Sequence, residues 1–419
     1  MLKDITAILF QYSDQAALHK ALSSLNKVSS RLKSVIVFQD KNMPFKLQES
    51  GWFEIVWYTD LGDRLNKKIK TIDTPYVLLL HGTDYISPSA TAETIQLPQQ
   101  KEVLGTFYHN RATTIHQPLL VRTPYLKEHP VLSASQLPFK EALLPSWLAK
   151  ADPSLTTFSE GLVKQAKKNS SRNTIEKQTF LQKYQLEETN IQDPSFTIMI
   201  ANYNMEAYVE TAVASCLLQT EQPDELLIMD DGSTDKSFEL LQQWRDGQQV
   251  KVFNKQNGGK ARALNELLPL VHSDFILELD ADDWLDPDAI SVIKTYLAES
   301  PEDVSVLYGN LRKWKQLSED VLFKGVAKGN AIKGKGDLLA YRFPLGPRIY
   351  RTSSLRREGG FPVITFENGM FYEDVSVLNR LLKKHRFLYE DFTVYNVREH
   401  KESITNNAPN WNDFLKTLE

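Results

Sequence analysis

The sequence predicts an α/β protein made of two tandem copies of one strand–helix unit, each with a mainly parallel sheet, joined by a helical linker. Strand-sized apolar runs alternate with helix-period segments between Phe196 and Asp280, and the same order of segments recurs near the N-terminus. The length of 419 residues also exceeds one comfortable core, at about 100–200 residues per domain.

FTIMIANYN, from Phe196, reads as a buried strand running into a polar loop. In AYVETAVASCLLQ the residues Val209, Ala212, Val213, Cys216 and Leu217 fall on one helical face, which makes Cys216 a core residue. The strand LLIMD, the turn DGSTD and the helical stretch SFELLQQW follow. VKVFN gives a third strand and NGG a turn. KARALNELLPLV gives a helix that Pro269 is placed to end. FILELD, ending at Asp280, is a fourth strand. Such alternation implies a parallel sheet covered on both faces, with ligands beyond the carboxyl ends of the strands. NYN, DDGS and DADD stand at those ends, so three polar clusters converge on one edge.

Sliding the chain by 191 residues lays Ile5–Asp40 over Phe196–Asp231 without a gap, matching Tyr12 to Tyr203 and Asp40 to Asp231. With gaps, PYVLLLHGTDYISP lies over DFILELDADDWLDP, PLLVRTPYLKEH over PRIYRTSSLRRE, and FKEALLPSWL over YEDVSVLNRL. The preserved order points to duplication. Between the copies, residues 158–194 are polar and rich in Lys and Gln, as an exposed helical linker would be. The expected divisions are therefore 1–157, 158–194 and 195–419.

Composition excludes several function classes. A net charge of −4, with 24% charged residues, gives no global drive toward nucleic acid. A lone cysteine rules out a disulfide framework and a multi-cysteine zinc site. No apolar run approaches the ~20 residues of a membrane span, and the N-terminus makes a poor signal peptide. The expected location is cytoplasmic, with room for peripheral association at the inner face of a membrane. G-x-G-x-x-G after a first strand and the P-loop pattern are both absent, which argues against a dinucleotide oxidoreductase and a P-loop kinase.

Asp280-Ala281-Asp282-Asp283 crowds carboxylates that need water or a cation between them, and hard oxygen ligands suit Mg²⁺ or Mn²⁺ holding a diphosphate. At Asp230-Asp231-Gly232-Ser233 a carboxylate could accept hydrogen bonds from a base or ribose, although a strand-end Asx turn explains Gly232 and Ser233 equally well. Tyr203 offers an aromatic face for a base or simple packing. Glu373 and Asp374 open a helix, where acidic residues also favour the dipole.

IANYN, LIMDDGSTD, NKQNGGKARALNELL, LELDADDWLDPD, FYEDVSVLNRLL and VREHKESIT together resemble family 2 glycosyltransferases of the GT-A fold, in that family's order and spacing. The resemblance implies inverting, metal-dependent transfer of a hexosyl or N-acetylhexosaminyl group. The donor would be a nucleotide-diphosphate sugar, usually UDP-linked, and the acceptor a hydroxyl of a glycan, a lipid-linked sugar or a cell-surface polysaccharide. It places Tyr203 on the base, Asp231 on the base edge and Asp280 at the ribose or a metal-bound water, with Ala201 and Ala281 beside them. Lys260 or Arg262 meets the nucleotide or its phosphates. Asp282 ligates Mn²⁺ or Mg²⁺, His400 faces the metal or diphosphate, and Asp374, next to Glu373, is the general base.

The first copy has His81-Gly82-Thr83 where the second has Asp280-Ala281-Asp282; Asp84 and Glu141 stand opposite Asp283 and Asp374. It reads as a degenerate GT-A-like domain without the metal. The second copy carries extra residues around Gly309–Gly346, expected to cover the acceptor, with Trp314 a candidate to stack on an acceptor sugar. The competing reading is a non-catalytic nucleotide-sugar-binding or scaffold protein of a glycan-assembly complex.

Overall fold

The computed structural model describes residues 3–41, 51–110, 113–166, 171–185, 194–318, 320–341, 345–364, 372–401 and 411–416. The chain splits into two compact units, Met1–Gln185 and Leu186–Glu419, each with its own sheet. The first unit contains β1 (Ile5–Phe10), β2 (Leu32–Asp40), β3 (Glu54–Tyr58), β4 (Tyr76–His81) and β5 (Asp84–Ile86). It continues with β6 (Val103–Asn110), β7 (Thr113–Arg122), β8 (Thr156–Glu160) and β9 (Val163–Gln165). The second contains β10 (Phe196–Asn202), β11 (Glu225–Asp230), β12 (Val250–Asn254), β13 (Phe275–Asp280) and β14 (Trp284–Leu285). It ends with β15 (Val304–Gln316), β16 (Val321–Ala327), β17 (Arg348–Arg351) and β18 (Arg386–Glu399).

The main sheets run β3-β2-β1-β4-β7-β6-β8 and β12-β11-β10-β13-β17-β15-β18, the second continuing to β14 with β16 alongside β15. Along both paths the first three pairings are parallel, the next two antiparallel and the sixth parallel. Register agrees as well. Ile5 faces Tyr76 and Tyr76 faces Arg122 in the first unit, while Phe196 faces Phe275 and Phe275 faces Arg351 in the second. Even a buried hydroxyl pair recurs: Thr74 bonds Thr6 at 2.8 Å, and Ser273 bonds Thr197 at 2.7 Å. The tandem α/β expectation is met, and the antiparallel half of each sheet is an addition to it.

The period of two along a strand explains the layering. Ile198 and Ile200 of β10 face a core with Val209, Val213 and Cys216 of the helix Val209–Leu217. Met199, between them, faces the opposite core with Ala263, Leu264 and Leu267 of the helix Lys260–Leu267. Cys216 is fully buried, as expected, and burial pushes its thiol up. Pro269 lies in the single 3₁₀ turn that closes the second of these helices.

The expected linker is a correction. β8 begins at Thr156 and pairs with β6, β9 pairs with β5, and the helix Arg172–Gln182 buries Lys177, Phe180 and Leu181. Residues up to Gln185 thus complete the first unit, and 186–193 lie outside the described residues. A helix is present here, as expected, but its sparse apolar spacing gives little sign that Lys177, Phe180 and Leu181 are buried. Phe180 packs against Phe139 at 5.3 Å between ring centroids. In the second unit Phe414 stacks on Tyr372 at 4.5 Å, at the position that the repeat aligns with Phe139.

Trp314 is a second correction. It is fully buried beside Trp284 and donates to Asn396 at 2.9 Å, so it has no face for a sugar. The extra residues of the second copy form the far part of β15, β16 and the short helix Lys335–Leu339. Among the described residues no helix is long and apolar enough to cross a membrane.

Because Phe180 is 1% exposed, Phe180→Ala should destabilise the first unit by about 3 kcal/mol. Chemical denaturation of the full chain reads this; a cost below about 1 kcal/mol would fit a surface linker instead.

Candidate functional site

The parallel strands β10, β11 and β13 end side by side, with Asn202 opposite Asp230 and Ala201 opposite both Met229 and Asp280. Asp230 is fully buried and spends its carboxylate on the turn. It accepts from Asn202 at 2.7 Å, from the Ser233 amide at 3.0 Å and hydroxyl at 2.6 Å, and from Asn254 at 3.1 Å. The Asx-turn alternative therefore describes Asp230. Gly232 has φ +72°, and a Cβ there would meet the Asn257 amide nitrogen at 2.7 Å, so only glycine fits.

Asp231 is 3% exposed, and its carboxylate accepts from Lys255 Nζ at 2.9 Å and from the amides of Gly258 and Gly259 at 3.0 and 2.7 Å. The carboxylate thereby organises the Lys255–Gly259 loop. Tyr203 projects outward, 45% exposed, above this turn. The neighbouring backbone is fixed by the Asn204 amide bonding Ser233 Oγ at 2.9 Å and by Asn204 Oδ1 accepting from the Thr234 amide at 2.8 Å.

Behind the strand ends lies a cluster of buried charge. Glu278, 2% exposed, takes a paired hydrogen bond from Arg348, Nε at 3.0 Å and Nη2 at 2.9 Å, and another from Tyr350 at 3.0 Å. Lys260 Nζ reaches Glu278 at 2.7 Å, bonds Asp280 closely, and lies 3.8 Å from Glu373. Arg348 also meets Asp280 at 3.4 Å and Asp374 at 3.6 Å. Burial alone would raise Glu278, yet Arg348 and Lys260 beside it hold its carboxyl well below the usual range. Burial likewise opposes the Lys260 charge, but Asp280 and Glu278 keep it protonated. Burial pushes Glu373 up to about 7, with Lys260 opposing and Asp374 adding to the rise.

Lys260 is thus committed to carboxylates, whereas Arg262 is exposed and donates to the Gly258 carbonyl at 2.6 Å. Of the two expected phosphate or nucleotide contacts, Arg262 is the one open to solvent. Asp374 begins the helix Glu373–Leu382 and accepts from the Val375 amide at 2.8 Å, its other oxygen facing Arg348.

A third group assembles from the far end of β18. His400 Nε2 lies 2.9 Å from Asp282 Oδ2. Arg398 donates from Nε to the Asp282 carbonyl at 2.8 Å, and its amide donates to Asp283 Oδ1 at 2.8 Å. Its guanidinium lies 4.8 Å from the Tyr208 ring and 4.7 Å from that of Trp284. Burial, then Asp282 and Asp280, push Asp283 well above the usual carboxylate range. Ala281, 5% exposed, is packed beneath this turn. Among the described residues no group of three or more His, Cys, Asp or Glu is arranged to hold a metal ion. One carboxylate and one imidazole nitrogen at hydrogen-bond distance are nevertheless a donor set that fits a divalent cation completed by phosphate oxygens and water.

The equivalent places in the first unit are filled from within. Asp84, fully buried, accepts from Gln117 at 2.8 Å and Gln165 at 3.0 Å, and pairs with His81 at 2.7 Å. Tyr12 is 5% exposed and donates to the Asp84 carbonyl at 2.6 Å, unlike the exposed Tyr203. Glu141 pairs with Lys177 at 3.3 Å. A cavity of about 510 Å³ opens instead at the amino ends of β1, β2 and β3, lined by Thr6, Ser34, Trp52 and the ion pairs Lys33–Asp73 and Lys68–Glu54.

Sequence reasoning missed Glu278, Arg348, Tyr208 and the packing of Arg398. Glu278 had a visible signal, since a carboxylate inside the apolar run FILELD needs a buried partner. Arg348 had none, because its partner lies 70 residues away.

Residues 197–317 match the sequence profile described as glycosyl transferase family 2. Among known proteins, an uncharacterized glycosyltransferase of Haemophilus influenzae is 32% identical over 149 residues, 33% of this chain and 60% of that protein. Chondroitin synthase of Pasteurella multocida is 35% identical over 108 residues, 25% of this chain but 11% of that protein. The chain therefore matches less than two thirds of either relative's length. Among solved structures, S. aureus TarS in complex with UDP-GlcNAc aligns with TM-score 0.41 and 20% identity, covering 52% of this chain and 62% of that one. That likeness is too distant to bear on the site.

A carboxyl near 7 in the folded chain against about 4.3 unfolded binds more protons when folded, so its contribution is complete below pH 4 and lost as pH rises through 7. Glu373→Gln should accordingly melt higher than the parent at pH 8, with the gap closing toward pH 4.5. An equal or lower melting point at pH 8 contradicts this.

Proposed function

We propose that the second unit, whose residues 197–317 match the glycosyl transferase family 2 profile, transfers a sugar, with inversion, from a nucleotide-diphosphate donor, UDP-linked, to an acceptor hydroxyl. The observation that carries the reading is the single charge network joining the strand-end Asp280 to the helix-start pair Glu373 and Asp374 through Lys260 and Arg348. It ties the donor end of the site to a carboxylate suited to take a proton.

Asp374 is the general base. Its carboxylate faces a guanidinium at 3.6 Å and is 19% exposed, so an acceptor can reach it. An alcohol is a poor nucleophile at neutral pH, and removing its proton as it attacks the anomeric carbon is worth about 10²–10⁴-fold. The nucleotide leaves with its diphosphate as the new bond forms on the opposite face, which gives inversion. Tyr203 stacks on the base, over a turn that Asp231 holds in shape, and Ala201, Asp280 and Ala281 line the adjoining strand ends. Arg262, exposed at the start of its helix, meets the phosphates.

Asp282 and His400 would hold Mn²⁺ or Mg²⁺, which when bound offsets the charge of the leaving diphosphate. Arg398 keeps the two together by bonding the Asp282 carbonyl from the strand that ends just before His400. A glycan, lipid-linked or cell-surface polysaccharide acceptor suits a chain related in part to a chondroitin synthase. The reading includes a cytoplasmic location with peripheral attachment through such an acceptor.

The first unit is a degenerate copy without transfer activity. Its Asp84 is saturated by His81, Gln117 and Gln165, its Tyr12 is turned inward, and its Glu141 is neutralised by Lys177. For that half, the scaffold role is favoured.

Screening nucleotide sugars for hydrolysis and transfer identifies the donor. Asp374→Asn should lower kcat by about 10²-fold or more while UDP binding stays near that of the parent. Near-normal turnover would remove Asp374 from the base role. In calorimetry, UDP binding to the full chain should require Mn²⁺ or Mg²⁺, and the requirement should weaken in His400→Ala. Equal affinity in chelator contradicts the metal assignment.

A further inference from the structure

The charged cluster in the second unit has an internal comparison in the first. Burying an ion pair costs desolvation that its partner must offset, and an apolar pair of similar size often serves stability as well or better. Glu278 and Arg348 are cross-strand neighbours on β13 and β17. Register from Tyr76 and Arg122, equivalent to Phe275 and Arg351, puts Leu79 and Leu119 in their places on β4 and β7, at 2% and 0% exposure. Tyr350, the third member, corresponds to Val121, also fully buried. Strand order and direction are the same in both units. The fold therefore accommodates aliphatic side chains at these positions, and the ion pair accompanies the acidic strand ends that the first unit lacks.

Arg348 is built to bridge. Nε and Nη2 grip Glu278 at 3.0 and 2.9 Å, which fixes the plane of the fork. Nη2 then lies 3.4 Å from Asp280, and Nη1 lies 3.6 Å from Asp374 and 3.4 Å from the Leu345 carbonyl. We propose that Glu278 and Arg348 are positioning residues, a buried ion pair that sets Asp374 in fixed relation to Asp280 and contributes to turnover rather than to folding. The assignment rests on the glycosyltransferase reading above and extends it to two residues that touch no substrate.

The test brings the first unit's two leucines into the second, as the double variant Glu278→Leu with Arg348→Leu in the full chain. Melting temperature, UDP affinity by calorimetry with Mn²⁺, and steady-state transfer with the best nucleotide sugar are measured. Expected are a melting temperature within about 4 °C of the parent or above it, UDP affinity within about threefold, and kcat lower by about 100-fold, the scale of an ångström's misplacement. Arg348→Lys keeps the charge but loses the fork, and should fall between, about 10-fold down in kcat. A folded double variant with parental kcat overturns the positioning role while leaving the glycosyltransferase reading intact. A double variant that fails to fold overturns the claim that the pair is dispensable for the fold. A parent chain that turns over no nucleotide sugar overturns the reading, and this role with it.

Discussion

The parallel register of β10 between β11 and β13 sets Asn202 against Asp230 and Ala201 against Asp280, and every part of the candidate site is arranged around that line. Parallel strands must be covered on both faces, so their interiors are apolar and their polar residues collect at the ends. Helices that start just past those ends then bring in Lys260, and the antiparallel return through β17 brings in Arg348. The long β18 closes the arrangement by carrying Arg398 and His400 to the turn after β13.

The two units show what that frame permits. They share strand order, direction and register, down to a hydroxyl pair at the start of the central strands. In one, the strand ends carry carboxylates balanced by buried cations. In the other, the same places hold leucines, a saturated aspartate and an inward tyrosine. A core tolerates such exchange when volume and polarity are matched together, which is why one scaffold can hold a charged site and a closed one.

The sequence made the strands, the first helices and the three polar strand ends legible, because period-two and helical spacing are local. It also makes visible the repeat and, through six spaced motifs, a resemblance to the family whose profile matches residues 197–317. The helix Arg172–Gln182 is legible as a helix but not as part of the first unit, since three buried positions, Lys177, Phe180 and Leu181, leave a weak pattern. Asp231 and Lys260 stand out in the sequence as site residues, as does Glu373, but the partners Gly258, Gly259 and Glu278 do not.

What the sequence determined by itself is the kind of chemistry on offer: carboxylates at strand ends, an aromatic beside them, an Arg-x-His segment and no cysteine chemistry. Those follow from residue identity and short-range spacing. Only the tertiary structure decided which carboxylates stay free for a ligand. Asp230 and Asp231 are spent on turns and loops, Asp280 is shared by two cations, and Asp282 meets His400 from 118 residues away. Partnership of charged groups is settled by distance in space and by how far water is excluded, and neither is written in the local sequence.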